Sequence, residues 1–98
     1  MDVYSMLDGQ GFVWDSVKGA SNASRHGVRF EQAREALLDQ LARYEDASPD
    51  EEARQACIGL TMDYRLLYVV HLVWEGDVVR LISARPAEPA ERRRYEND

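Results

Sequence analysis

With 98 residues, 45 % of them hydrophobic and 31 % charged, the chain has the size and composition of one small globular domain, not of a disordered segment. A chain this short supports one hydrophobic core and not two, so residues 1–98 read as a single domain. Its formal net charge of -6 argues, taken alone, against nucleic acid, whose phosphates are bound by Lys and Arg.

Met1 to Gly11 has neither the basic start nor the apolar run of a secretory signal, and reads as a flexible N-terminal extension. It is either a disordered lead or an added edge strand. "GFVWD" then alternates Phe12 and Trp14 on one side, as a short strand does, and Asp15 is a good N-cap. A helix follows from Ser16 to His26. It ends at Gly27, which takes a left-handed C-cap without steric penalty. His26 falls in the last turn, where the helix dipole favours a protonated imidazole. Phe30, Ala33, Leu37, Leu38 and Leu41 recur at helical spacing and predict a second, amphipathic helix from Phe30 to Leu41. "EDASPDEE" reads as a loop.

Three strands are predicted next, from Ala53 to Met62, Arg65 to Trp74 and Val78 to Arg85, joined by turns at 62–64 and at "EGD". The middle run, "LLYVVHLVW", is apolar on both parities and too short to span a bilayer. Pro89 opens a short final helix, "PAERRRYEND". The expected fold class is α+β: a small antiparallel sheet, two N-terminal helices packed on one face, and a short C-terminal helix.

The charge is unevenly distributed. Between Glu35 and Glu52 seven acids face one base, Arg43, which accounts for the whole deficit. Ser16 to Arg34 carries Lys18, Arg25, Arg29 and Arg34 against Glu31. Arg80 to Tyr95 carries Arg80, Arg85, Arg92, Arg93 and Arg94 against Glu88 and Glu91. These two basic stretches are the candidate anion-binding surface. Solvated helix faces would show the same pattern.

Two histidines and one cysteine cannot assemble the usual zinc set, so no metal is expected. The lone Cys57 cannot form an internal disulfide, suits a cytoplasmic setting, and in mid-strand reads as a buried inert thiol. No glycine-rich loop precedes a helix to cradle phosphates, and no other cofactor is indicated. What remains is Lys18, Arg25, His26, Arg54, His71, Arg80, Arg85, Arg92 and Tyr95. That set suits metal-independent phosphodiester cleavage, with histidine moving protons and arginine stabilising phosphate charge. His71 groups with Leu67, Val69 and Val73 by strand parity, so a hydrogen-bonded core histidine fits it as well. Arg80 shares a parity with Val78, Ile82 and Ala84, and Arg85 falls on the opposite one.

Phe12, Trp14, Asp15, Lys18, Asn22, Arg25, His26, Gly27, Val28, Phe30, Glu31 and Ala33 resemble the N-terminal half of the BrnT family of bacterial type II toxins. That half reads F-x-W-D-x-x-K, an Asn, then K/R-H-G-V-x-F-x-x-A. Arg54 with Ile58 and Gly59 is similar to the family's R-x-x-x-I-G strand, and "RLISARPAEPAERRRYE" to its closing R-I-I-S-A-R-x-A-x-x-x-E-R-x-x-Y-E. The resemblance covers residues 12–96. It implies a RelE-like α+β fold and an endoribonuclease that cleaves RNA to arrest translation. It also implies a BrnA-type ribbon-helix-helix antitoxin that supplies all contacts with operator DNA, and a toxin homodimer inside a toxin–antitoxin heterotetramer. By position, His26, Arg80, Arg85, Arg92 and Tyr95 are then the expected catalytic residues, with Lys18, Arg25, Arg54 and His71 binding RNA. Arg85 and Arg92 are the expected phosphate clamps, and Tyr95 exchanges protons or stacks on a base. A non-catalytic corepressor of the same fold, or arginines that pair with the acidic belt, are the alternatives.

Overall fold

A computed structural model describes residues 1–48, 53–73 and 75–97. The chain opens with a hairpin, β1 (Asp2–Leu7) and β2 (Gln10–Asp15), so the N-terminal extension is an edge strand and two strands precede the helices. Helix α1 (Ser16–His26) starts where the Asp15 carboxylate accepts from the Lys18 amide at 3.1 Å. It stops where Gly27, at φ 67°, turns its N–H onto the Ala23 carbonyl.

Helix α2 spans Phe30–Leu37 and ends before the predicted Leu41. Asp39 is the cause. Its carboxylate accepts from the amides of Leu41 and Leu60, both at 2.9 Å, which draws the chain out of the helix and pins it to the sheet. The chain then enters β3 (Arg43–Asp46), so Glu45 and Asp46 of the expected loop are strand; residues 49–52 of that loop lie outside the described residues. β4 (Gln55–Leu60), β5 (Leu66–Val73) and β6 (Val79–Pro86) follow, the last entered from a 3-10 turn at Glu75–Asp77. Trp74, expected at the end of the middle strand, lies outside the described residues. Pro89 and a capping box between Glu88 and Glu91 start α3 (Pro89–Glu96).

The six strands form one sheet in the order β1-β2-β6-β5-β4-β3. The sheet is mixed, not antiparallel: β2 runs parallel to β6, pairing Phe12 with Val79 and Val13 with Arg80. The chain between them passes through both helices and three strands, long enough to return in the same direction. α1 and α2 cover one face of the sheet. There Trp14 meets Phe30 edge-to-face with centroids 6.0 Å apart, over Cys57, Val69 and Ala84. α2 lies so close to β4 that a Cβ on Gly59 would stand 2.1 Å from the Ala36 carbonyl oxygen.

A β-bulge decides the second face. Val70 pairs with Ser83 but His71 pairs with Leu81, leaving Ile82 as the extra residue on β6. Leu81 and Ala84, three apart, therefore both enter the helix-covered core. Arg80 and Arg85 both emerge on the opposite face, in register with Leu72 and Tyr68. The regular alternation expected from sequence would have separated them.

Candidate functional site

The face opposite α1 and α2 carries the C-terminal arginines. Arg85 donates Nη1 and Nη2 to the two carboxylate oxygens of Glu91, at 2.8 and 2.7 Å, and its guanidinium lies 4.4 Å from the centroid of the Tyr68 ring. A planar fork held bidentately on one side and stacked on an aromatic ring has little freedom. Burial raises the Glu91 carboxyl's pKa; the Arg85 hydrogen bonds, the Glu88 amide and the charges of Arg85 and Arg94 outweigh this and leave it below the ordinary range. Arg80 donates Nη2 to Asp2 at 2.7 Å. Arg94 is paired with Glu45, and Arg43 donates to the Arg94 carbonyl at 3.1 Å, so one of the final arginines does pair with the acidic belt. Arg92 is exposed and faces Glu96 at 3.8 Å along α3.

Tyr95 donates its hydroxyl to Asp39 at 2.6 Å. Burial and that carboxylate push the phenol's pKa up to about 12, so at neutral pH it is a protonated donor that ties α3 to the turn after α2. Asp39 thus fixes three elements at once, with β4 held through Leu60.

The C-terminal end of α1, with Arg25 and His26, lies near the end of the sheet that carries Arg85, on the other face, whereas Lys18 sits in the first turn of α1 beside Asp15. Lys18 and Arg25 are exposed on α1 and His26 is half-buried in its last turn. Arg65, a cation the sequence reading passed over, donates to Gln32 Oε1 at 2.7 Å and to the Gly27 carbonyl at 3.4 Å. It thereby joins the end of α1 to the start of β5, where Leu66 accepts from the Ala87 amide as β6 leaves for α3. Asn22 fastens the two basic stretches together. Its side chain bonds the Val28 carbonyl at 2.9 Å and both the carbonyl and the amide of Ala84, at 2.8 and 3.0 Å.

Arg54 precedes β4, whose first residue Gln55 is in register with His71 and through it with Leu81, so it lies at the Arg80 end of the sheet, its backbone bonded to Ser48. One expected RNA-binding residue stands apart. His71 is a core histidine, 2 % exposed, with Nδ1 3.2 Å from the Val69 carbonyl and its ring edge-to-face with Tyr44. Burial lowers its pKa, against the backbone hydrogen bond that raises it, so the ring is neutral at neutral pH and closed to a ligand. The Cys57 thiol is fully buried and burial pushes its pKa up to about 12, which leaves it unreactive.

Glu91, Asp39 and Arg65 are the contributors that the sequence reading missed. Only Glu91 carried a signal, standing three residues after Glu88 with Pro89 between, as a capping box requires. Among the described residues no group of three or more His, Cys, Asp or Glu side chains is placed to hold a metal ion, and no helix is long and apolar enough to cross a membrane.

The family of ribonuclease toxins, BrnT, of type II toxin–antitoxin systems matches residues 14–91. Among solved structures, the crystal structure of the Brucella abortus ribonuclease toxin BrnT is similar in fold, with a TM-score of 0.61 and 23 % identity over 76 % of this chain and 92 % of that one. No curated protein gives a significant match. The match runs from β2, through the Asn22 fastening and the arginine pair of β6, to Glu91 on α3. The chain therefore belongs to the BrnT family of ribonuclease toxins of type II toxin–antitoxin systems, which makes RNA its target and an antitoxin its partner.

Proposed function

We propose that this toxin cleaves RNA without a metal ion, on the sheet face that carries Arg80 and Arg85. The observation that supports this reading most is the fixed guanidinium of Arg85, held between Glu91 of α3 and the Tyr68 ring of β5. Preorganised cations of this kind stabilise the charge that builds on phosphate oxygens in the transition state. In the reaction a ribose 2′-oxygen attacks the adjacent phosphorus and the bond to the 5′-oxygen breaks. The products are a 2′,3′-cyclic phosphate and a 5′-hydroxyl. One group removes the 2′-hydroxyl proton and another protonates the leaving oxygen. His26, half-buried where His71 is fully enclosed, serves as the acid or base. Arg92 supplies a second phosphate contact from α3, and Lys18, Arg25 and Arg54 add long-range attraction. Tyr95, its proton held toward Asp39, acts by holding α3 in place.

RNA cleavage of this kind arrests translation in the cytoplasm. A BrnA-type ribbon-helix-helix antitoxin neutralises the toxin by covering this face, in a heterotetramer that touches operator DNA through the antitoxin alone. The test is growth on induction of the wild-type chain beside Arg85→Ala/Arg92→Ala and His26→Gln variants, with total RNA examined and folding checked by circular dichroism. Arrest with RNA cleavage by wild type, lost in both folded variants, is expected. A folded wild-type chain that neither arrests growth nor cleaves RNA would point to a non-catalytic corepressor. A His26→Gln variant that stays fully toxic would remove His26 from the chemistry.

A further inference from the structure

Strand β1 lies before residue 14, where the family match begins. Cross-strand partners project on the same side of a sheet, so the register Tyr4↔Val13 and Val13↔Arg80 puts Tyr4 and Arg80 in one row across β1, β2 and β6. Val13, between them, is fully buried, while Tyr4 is 67 % exposed. The two side chains rise from strands about 10 Å apart. At the other end of the same face Arg85 lies over Tyr68. The positions facing Arg80 and Arg85 on β5, Leu72 and Tyr68, are four residues apart, or about 13 Å. One end of the face therefore pairs Arg80 with an exposed tyrosine, Tyr4, while at the other the Tyr68 ring is already covered by Arg85. Two phosphates of a single strand span that separation; the oxygens of one phosphate do not.

Alternating cations and aromatic rings is how proteins hold single-stranded nucleic acid, the cations taking phosphates and the rings taking bases. We propose that β1 extends the RNA-binding face, with Tyr4 stacking on a base of single-stranded RNA beside the phosphate that Arg80 contacts. The proposal rests on the reading of RNA as the substrate of this face. Among the described residues, Asp2 pairs with Arg80 and Glu91 with Arg85 on this face. They orient the guanidiniums, whose five donors allow a phosphate to be shared with the carboxylate. A ring that is exposed on an edge strand is the right kind of group to meet a base.

The test is fluorescence anisotropy of the full chain with a short single-stranded oligonucleotide whose 2′-oxygens are methylated, so that none can attack. Tyr4→Ala is expected to weaken binding about tenfold, with the dependence on salt unchanged because no phosphate contact is lost. Tyr4→Phe should bind as wild type does. Arg80→Gln should lower the salt slope by about 0.7. An abasic site moved along the oligonucleotide should weaken wild type at one position, and at that position Tyr4→Ala should suffer no further loss. Circular dichroism checks that each variant is folded. If Arg85→Ala weakens binding and Tyr4→Ala does not, β1 is not part of the surface and the proposal falls while RNA as substrate stands. If the wild-type chain binds no RNA, both fall together. If Tyr4→Ala leaves RNA binding intact but weakens binding of the antitoxin, the tyrosine belongs to the protein interface and the proposal is overturned.

Discussion

Replacing Glu91 with Gln separates the charge of the Arg85 partner from its shape. The carboxamide oxygen of Glu91→Gln still accepts from the Glu88 amide and from one Arg85 donor, so α3 keeps its cap, but the new NH2 faces the other guanidinium donor and the second bond is lost. Hydrogen bonds to charged groups contribute about 1.5–3 kcal/mol and neutral ones about 0.5–1.5. The net loss at neutral pH is therefore about 1–2 kcal/mol, or a fall in Tm of about 5–15 °C for a domain of this size. The sign of the pH effect is fixed by the depressed carboxyl. Its contribution is full above the ordinary glutamate pKa of 4.5 and is lost as pH falls through the lower folded value. Urea denaturation from pH 7 to pH 3 should thus show the wild type losing more stability than Glu91→Gln as the pH falls. RNA cleavage under folded conditions should fall as Arg85 loses its alignment. Parallel stability curves across that range would refute the claim that Glu91 acts through its charge.

Asn22→Ala leaves three buried backbone groups of Val28 and Ala84 without partners. At about 1–3 kcal/mol for each unmet group, partly relieved by relaxation, it should cost about 3–5 kcal/mol in thermal or urea unfolding; a loss under about 1 kcal/mol would show that α1 is held by other means. Gly59→Ala drives a methyl into the Ala36 backbone, so α2 must lift from β4, and a loss of about 2–3 kcal/mol or more is expected from the urea midpoint. An unchanged midpoint would mean that α2 does not pack there.

The reading of α1 needed only its own residues. Asp15 and Gly27 act on amides and carbonyls within four positions, and the resulting boundaries match the predicted ones. The same holds for Pro89 and for the three strands that follow the acidic belt, whose ends moved by a few residues. α2 shows where local reading stops. Leu38 and Leu41 continue the helical spacing, but Asp39 finds the Leu60 amide across the fold and the helix ends earlier. β3 carries Glu45 and Asp46, poor strand formers, and is a strand because β4 offers it an edge.

The candidate site divides in the same way. Its residue types, and the two stretches that hold them, were legible as charge and as family motif. Their arrangement was not. Strand parity put Arg80 and Arg85 on opposite faces, and one extra residue at Ile82, defined only by pairing with β5, brought them together. His71 satisfied both a binding and a core role in sequence, and only its burial against the Tyr44 ring made it core. The parallel pairing of β2 with β6 has no local signature at all, because it depends on where a chain returns after both helices and three strands. What the sequence by itself determined are the features whose energy comes from neighbours in the chain: caps, turns, periodicities and the supply of cations. Only the tertiary structure decided strand order, the bulge and which arginine each carboxylate holds, since those energies come from residues that are distant until the chain has folded.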